Sequence, residues 1–434
     1  MKKSLALLLV LVFCFTLASC GAGNTGASPA SSPAPASSAP ASSAAPESEA
    51  PATQELKTGT LKIGLLIHTT NWFAAIDMPN YYEFNAMVDY VNNVLGGWQI
   101  GDTLYQIEAV NVDGQSDNEA LRAGAISLVD AGVDFVVETN DFWVMSCEDI
   151  FEEAGVLHSC AYPVYVPGYM GPDNPMAFTA SNGAVGDYAS AFNVLHEAYP
   201  DVKTVIFAND DNGINELLFG LMKTYGAQYG ITVLDEFIKY PGDTTDYSAV
   251  ALQIVQSGAD CFMGQGSPAA YGAILKEVRA QGSDAVCACV QGKPATILME
   301  YAGADASSNA FTLGPSTREE DKSKNTDIFN AVVEQVRKLY GDDAAKSFDG
   351  AACNNLYVML QAMQKAGSVD PKEVKTAWEN MGTVNTIYGP GTTGGETTYG
   401  IANHAIGSPR SVSIIDPTAK DGWSFWGWID VKIP

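Results

Sequence analysis

Residues 135–163, FVVETNDFWVMSCEDIFEEAGVLHSCAYP, hold the pattern from which the fold is read. Phe135-Val136-Val137 is a short apolar run that stops at the polar and aromatic loop Glu138-Thr139-Asn140-Asp141-Phe142-Trp143. An amphipathic segment, Met145 to Ala154, sets Ile150 and Phe151 against Glu148, Asp149, Glu152 and Glu153, and Gly155 ends it. Val156-Leu157 opens a second apolar strand that runs out into Ser159-Cys160-Ala161-Tyr162-Pro163. Strand, helix, strand is a parallel crossover unit, since two parallel strands need a long connection. Ligands of open α/β sheets bind outside the carboxyl ends of the strands. Both loops of this unit carry aromatic and hydroxyl groups on that edge.

The same alternation extends outward. Upstream stand the strand Leu61 to Ile67, ending in His68-Thr69-Thr70-Asn71-Trp72-Phe73, a helix from Pro79 to Val94, and the strand Tyr105 to Val110. The turn Asn111 to Asp117 leads into a helix from Glu119 to Ala131. Near-continuous apolar strands are those covered by helices on both faces. Downstream, strands at Thr204–Ala208, Ile231–Tyr240, Cys261–Met263 and Ala285–Val290 alternate with helices at Asn182–Ala198, after Gly213, up to Ser257 and at Ala269–Gln281. Two α/β units of similar size are expected. The tail differs: helices over Asp327–Leu339, Asp349–Ala366 and Pro371–Met381 precede a Gly/Thr-rich, β-rich terminus.

The chain has 434 residues, 47% hydrophobic and 17% charged, with a formal charge of −27. That acidity argues against nucleic acid and against anionic lipid surfaces. Lys2 and Lys3 precede an apolar run, Ser4 to Thr16, too short to span a bilayer. Leu17-Ala18-Ser19-Cys20-Gly21 follows. It reads either as an ordinary secretory signal with a chance cysteine or as a lipoprotein signal. From Ala22 to about Lys57 the chain is Ala-, Ser- and Pro-rich and buries too little to fold. Six cysteines remain in the body; Cys147 with Cys160 could form a bridge, and Cys287 and Cys289, two apart on a strand, share a face.

Enzymatic inventories fail. His68, His158, His196 and His404 stand in no HExxH spacing. Gly264-Gln265-Gly266-Ser267-Pro268 is not a nucleophile elbow. No catalytic residue, metal or cofactor is expected.

Leu17-Ala18-Ser19-Cys20-Gly21 resembles the lipobox of bacterial lipoproteins, which implies a lipid on Cys20. In order, Asp113-Gly114-Gln115-Ser116-Asp117, Glu153-Ala154-Gly155-Val156, Asp210-Asp211-Asn212-Gly213 and Tyr240-Pro241-Gly242-Asp243-Thr244-Thr245-Asp246-Tyr247-Ser248 resemble the type I substrate-binding proteins of ABC importers, the branched-chain amino acid (Leu/Ile/Val) binding family. The resemblance covers about residues 60–415. It implies an α/β fold of two Rossmann-like lobes with parallel sheets, joined by a three-crossover hinge. Residues 58–180 with 312–380 would form the N-terminal lobe, and 181–311 with 381–434 the C-terminal lobe. Residues 1–19 would be the signal peptide and 20–57 the lipidated linker. It also implies a monomer on the extracytoplasmic face of the cell membrane that hands a small molecule to an ABC permease. A sensing module for a membrane receptor is the alternative.

Mapped by position, the resemblance places ligand contacts at His68, Trp72, Phe73, Asn140, Asp141, Phe142, Ala161 and Tyr162 in one lobe. The other supplies Asn212, Gln265, Ser267 and Gln291. Two positions depart from the amino acid binders: Gln291 replaces an acidic residue and Tyr162-Pro163 replaces Thr or Ser. Both argue against an ordinary α-amino acid. Trp72, Phe73, Phe142, Trp143, Tyr162 and Tyr165 either pack beneath the loops or line the cleft, which would suit an aromatic or aliphatic ligand with a small polar head. His68 is a core histidine or a ligand contact, and Asp141 a helix N-cap or the partner of a cationic group.

Overall fold

The computed structural model describes residues 56–434 except 165, 212 and 292–294. The signal, Cys20 and nearly all of the linker lie outside the described residues, as do Tyr165 and Asn212.

The first sheet contains β1 (Lys57–Ile67), β2 (Trp98–Ile100), β3 (Thr103–Asp113), β4 (Phe135–Glu138), β5 (Leu157–Cys160) and β6 (Ala177–Phe178), in the order β2-β3-β1-β4-β5-β6. Only the edge pair β2/β3 is antiparallel. The second contains β7 (Thr204–Asp210), β8 (Thr232–Tyr240), β9 (Cys261–Gly264), β10 (Val286–Cys289) and β11 (Ala310–Thr312), all parallel. A small antiparallel sheet follows: β12 (Thr383–Thr386), β13 (Gly389–Gly394) and β14 (Ala405–Gly407). Finally β15 (Arg410–Ile415) and β16 (Trp423–Ile429) add an antiparallel edge to the second sheet, giving β16-β15-β11-β10-β9-β7-β8.

Alternation at period two explains why these strands read as unbroken apolar runs. Leu61, Ile63, Leu65, Phe135 and Val137 face a core shared with the helices Ala74–Asp89, Asp327–Tyr340 and Ala351–Ala366. Leu66 and Val136 face the opposite layer, with Leu121, Leu128 and Phe151. The second sheet divides likewise: Val205, Phe207, Met263 and Ala288 on one face, and Ile206, Phe262, Cys287 and Cys289 on the other. Cys287 and Cys289 do share a face. All six described cysteines are buried and free, so Cys147 and Cys160 form no bridge. Burial of the Cys289 thiol pushes it up to about 12, and the others rise for the same reason.

The segment Met145–Ala154 is not one helix. A single turn, Asp141–Val144, is capped by Asn140, whose side chain accepts from Trp143 N. The backbone then breaks at Cys147 (φ −141°, ψ 3°) before Glu148–Ala154.

Three passages join the two α/β halves, between Ala180 and Ala184, Leu313 and Phe329, and Ile406 and Val412. The first and third run side by side: Thr179 N donates to His404 O at 3.0 Å and Ile406 N to Thr179 O at 2.9 Å. Asn182 makes two hydrogen bonds with the Ser408 backbone, at 2.7 and 2.9 Å. Asn354 and Asn355, in the helix Ala351–Ala366, clamp both backbone groups of Ala180. Val384, Ile387, Tyr388 and Ile406, from the small sheet and its turn, pack on the first core. Arginine, aspartate and tyrosine side chains converge beside these passages, where the floor of a cleft forms.

Candidate functional site

The loops that leave β1, β4 and β5 face those that leave β7, β8, β9 and β10 across a cavity of about 330 Å³. All seven come from the carboxyl ends of parallel strands, where side chains and loop N–H groups converge on a ligand. The volume suits a small organic solute. One wall is Trp72, Phe73, Ile76, Asn140, Phe142, Trp143, Tyr162 and Val164. The other includes Asp210, Ile214, Leu218, Tyr240, Tyr247, Gln265, Ser267 and Gln291.

The first wall is an aromatic stack. Trp143 is buried and lies 5.8 Å from the Trp72 ring and 5.6 Å from the Phe73 ring, centroid to centroid. Trp72 and Phe142 keep 68% and 51% of their surface exposed, so both present ring area to the cleft. The Tyr240 and Tyr247 rings meet edge to face at 5.5 Å on the other side.

At the floor, Tyr162 Oη donates to Asp187 Oδ2 at 2.5 Å. Gln265 Nε2, from the opposite wall, donates to Tyr162 Oη at 2.5 Å. Arg410 Nε pairs with Asp187 Oδ1 at 2.7 Å. Burial pushes the Asp187 carboxyl up to about 6, against the pull of the Arg410 guanidinium.

A periodic pattern of this kind is also a family pattern. The family model described as "Periplasmic binding protein" matches residues 60–407. The chain belongs to the periplasmic binding protein family. No curated protein matches the chain. Solved structures of similar fold include the branched-chain amino acid transporter substrate-binding protein LivJ from Streptococcus pneumoniae in complex with isoleucine (16% identity over 87% of this chain and 100% of that one, TM-score 0.65). Another is a solute-binding protein of an ABC transporter from R. palustris in complex with 4-hydroxybenzoate (16%, 87% and 98%, 0.65). A third is the closed Leu-, Ile-, Val-, Thr- and Ala-binding protein from Brucella ovis (15%, 86% and 95%, 0.69). The type I two-lobe fold expected from the sequence is therefore the fold found.

Within this periplasmic binding protein the expected contacts divide. Trp72, Phe73, Asn140, Phe142, Tyr162, Gln265, Ser267 and Gln291 line the cavity. His68 does not. It is fully buried, its Nδ1 accepts from Ser116 N at 2.9 Å, and its ring supports Trp143 at 4.4 Å. Burial pushes its pKa down, so it is a neutral core histidine behind the aromatic wall. Asp141 is neither an N-cap nor at the cavity surface: its buried carboxylate accepts from Val164 N at 2.7 Å and Val166 N at 2.8 Å, pinning the loop after β5. Ala161 is buried in the first core, because its side chain follows the alternation of β5 to the inner face. Asn212 lies outside the described residues. Among the described residues no group of metal-binding side chains gathers.

Five residues of consequence escaped sequence reading. Tyr240, Tyr247 and Asp210 sit in quoted motifs, and the strand-end rule could have drawn Tyr240 and Asp210 to the cleft. Asp187 lies inside a helix and Arg410 opens β15, next to the sheet edge, and nothing local marks either.

Proposed function

We propose that this protein is an extracytoplasmic, lipid-anchored receptor that captures a small organic solute between its lobes and delivers it to an ABC permease. The solute is aromatic or aliphatic with a small polar head. The aromatic wall of Trp72, Phe142 and Trp143 facing Tyr240 and Tyr247 carries this reading. Closure of the lobes then buries the ligand and shifts the population towards the form a permease recognises, which requires contacts from both sides. Tethering through Cys20 rests on the lipobox-like Leu17-Ala18-Ser19-Cys20-Gly21. By its length and its Ala-, Ser- and Pro-rich composition, such a linker would reach roughly 30–100 Å. Among the described residues no helix is long and apolar enough to cross a membrane. A sensing module is kept as the second reading by a similar fold, an extracellular ligand-binding receptor from Rhodopseudomonas palustris HaA2 (13% identity over 85% of this chain and 99% of that one, TM-score 0.63).

A thermal-shift screen over amino acids, aromatic acids, amides and short aliphatics tests the ligand class, since a ligand of the native state raises the midpoint. Strong stabilisation by leucine with none by aromatic compounds would exclude the aromatic-wall reading. Trp72→Ala should weaken the best hit about tenfold or more. Its unfolding midpoint should hold, because the ring is mostly in solvent. A matching loss of stability would instead make Trp72 a packing residue. For the anchor, Cys20→Ser should abolish fatty-acid labelling and release the protein from the membrane fraction. Unchanged labelling would disprove the lipid assignment.

A further inference from the structure

The floor of the cleft fixes the polarity of one hydroxyl. Asp187 is fully buried, and its two oxygens have different partners: Oδ1 lies 2.7 Å from Arg410 Nε and Oδ2 2.5 Å from Tyr162 Oη. A carboxylate paired with a guanidinium accepts and does not donate. Tyrosine has a single hydroxyl proton, and here Asp187 takes it. What Tyr162 offers the cleft is therefore lone pairs alone. The opposite wall already answers that polarity, because the group that Gln265 turns to Tyr162 Oη is its amide nitrogen, at 2.5 Å.

We propose that this fixed acceptor selects a solute whose polar head is an ammonium, an alkyl or arylalkyl amine, with Asp187 and Arg410 acting as positioning residues for Tyr162. The inference deepens the solute-receptor reading and rests on it. An ammonium donates in three directions and has no lone pair to set against Tyr162. Trp72, Tyr240 and Tyr247 line the same cavity, and aromatic rings attract a cation. A carboxylate head would instead set its oxygens against the remaining Tyr162 lone pair, a contact in which neither side can donate.

Two pairs of probes share a body and differ in the head: phenethylamine with phenylacetate, and isopentylamine with isovalerate. Titrated into the full-length protein and followed by tryptophan fluorescence, at least one amine should bind about tenfold or more tighter than its acid. Tyr162→Phe removes the acceptor and should bring amine binding down to the level of the acid; it also takes the donor from buried Asp187 Oδ2, so the unfolding midpoint should fall and the amine-to-acid ratio is the readout. Asp187→Asn gives a sharper result. Arg410 only donates, so the new amide must keep its oxygen there and turn its nitrogen to Tyr162. The tyrosine proton is then released to the cleft, and the preference should reverse towards the acid. Acids binding as tightly as amines in the unaltered protein would overturn the ammonium inference and leave the cleft as a solute site. Binding of neither head on either body would overturn both readings. Should Asp187→Asn fail to fold, Tyr162→Phe decides alone: an unchanged amine-to-acid ratio sinks the proposal.

Discussion

Gly183→Ala should lower stability by more than about 3 kcal/mol, or abolish folding. Gly183 opens the helix Gly183–Ala198 with φ +52°, a left-handed conformation that disfavours any Cβ. Its surroundings make the position stricter. A Cβ there would stand 1.9 Å from Pro163 O and 2.6 Å from Pro163 Cγ. The Pro163 carbonyl cannot swing away cheaply, because it accepts from Ala184 N at 2.9 Å. It also follows Tyr162, whose hydroxyl is held by Asp187. The close approach thus ties a loop of the first sheet to the helix that begins the second half. Gly230→Ala provides the control: its φ is +68°, but a Cβ would meet nothing within 4 Å, so it should cost only about 1–2 kcal/mol. Urea unfolding of both variants measures the difference. Equal losses would mean that the backbone conformation alone, and not the contact with Pro163, sets the cost.

The second large effect concerns pH. His158 is fully buried, with Nδ1 2.6 Å from Glu138 Oε1 and Nε2 3.5 Å from Glu152 Oε1. Tyr169 Oη donates to the same Glu138 oxygen at 2.9 Å. Burial opposes the charged imidazolium, but the charge and hydrogen bond of Glu138, aided by Glu152, outweigh it and raise His158 to about 9. A group whose folded pKa exceeds its unfolded value of 6.5 contributes stability that is complete below 6.5 and lost as pH rises through about 9. The loss over that window amounts to about 3 kcal/mol. Glu148 is raised by burial to about 7 and Asp187 to about 6. Raised carboxyls also lose stability with rising pH, but between their unfolded values and those limits, and the raised buried thiols lose it as pH nears 9, so the histidine is isolated by comparing a variant with the unaltered protein over pH 7–9. The variant His158→Gln should be less stable at pH 7 by about 3–5 kcal/mol, because it strands a buried carboxylate. The stability difference from the unaltered protein should shrink as pH rises to 9. A difference constant over that range would show that His158 carries no proton in the folded state.

The repeating strands and helices were legible because burial on both faces leaves an apolar run in the sequence. Phe135-Val136-Val137 and Cys261-Phe262-Met263 are examples, each splitting residue by residue between two cores. The cleft was legible in outline because the strand-end rule is a property of topology. Trp72, Tyr162, Gln265 and Gln291 reach it in this way. Errors came where a polar residue near a strand end could serve either a ligand or the chain itself. Asp141 serves two backbone N–H groups and His68 one, and sequence does not state which partner a side chain finds. Asp210 lines the cavity wall, although the run Asp210-Asp211-Asn212-Gly213 reads locally as a loop of a type common in an acidic chain.

From sequence alone, the residues determined two parallel sheets, their helical cover and the edge on which a ligand would sit. Local periodicity and turn chemistry specify such features within short spans. Only the tertiary structure decided the character of Phe135–Pro163, the stretch that set the fold. Its Tyr162 hydroxyl has a polarity imposed by Asp187 and Arg410, which come from a distant helix and from β15 of the second sheet. Hydrogen-bond direction at a buried site depends on partners that meet only when the chain has closed on itself, and no periodicity records them.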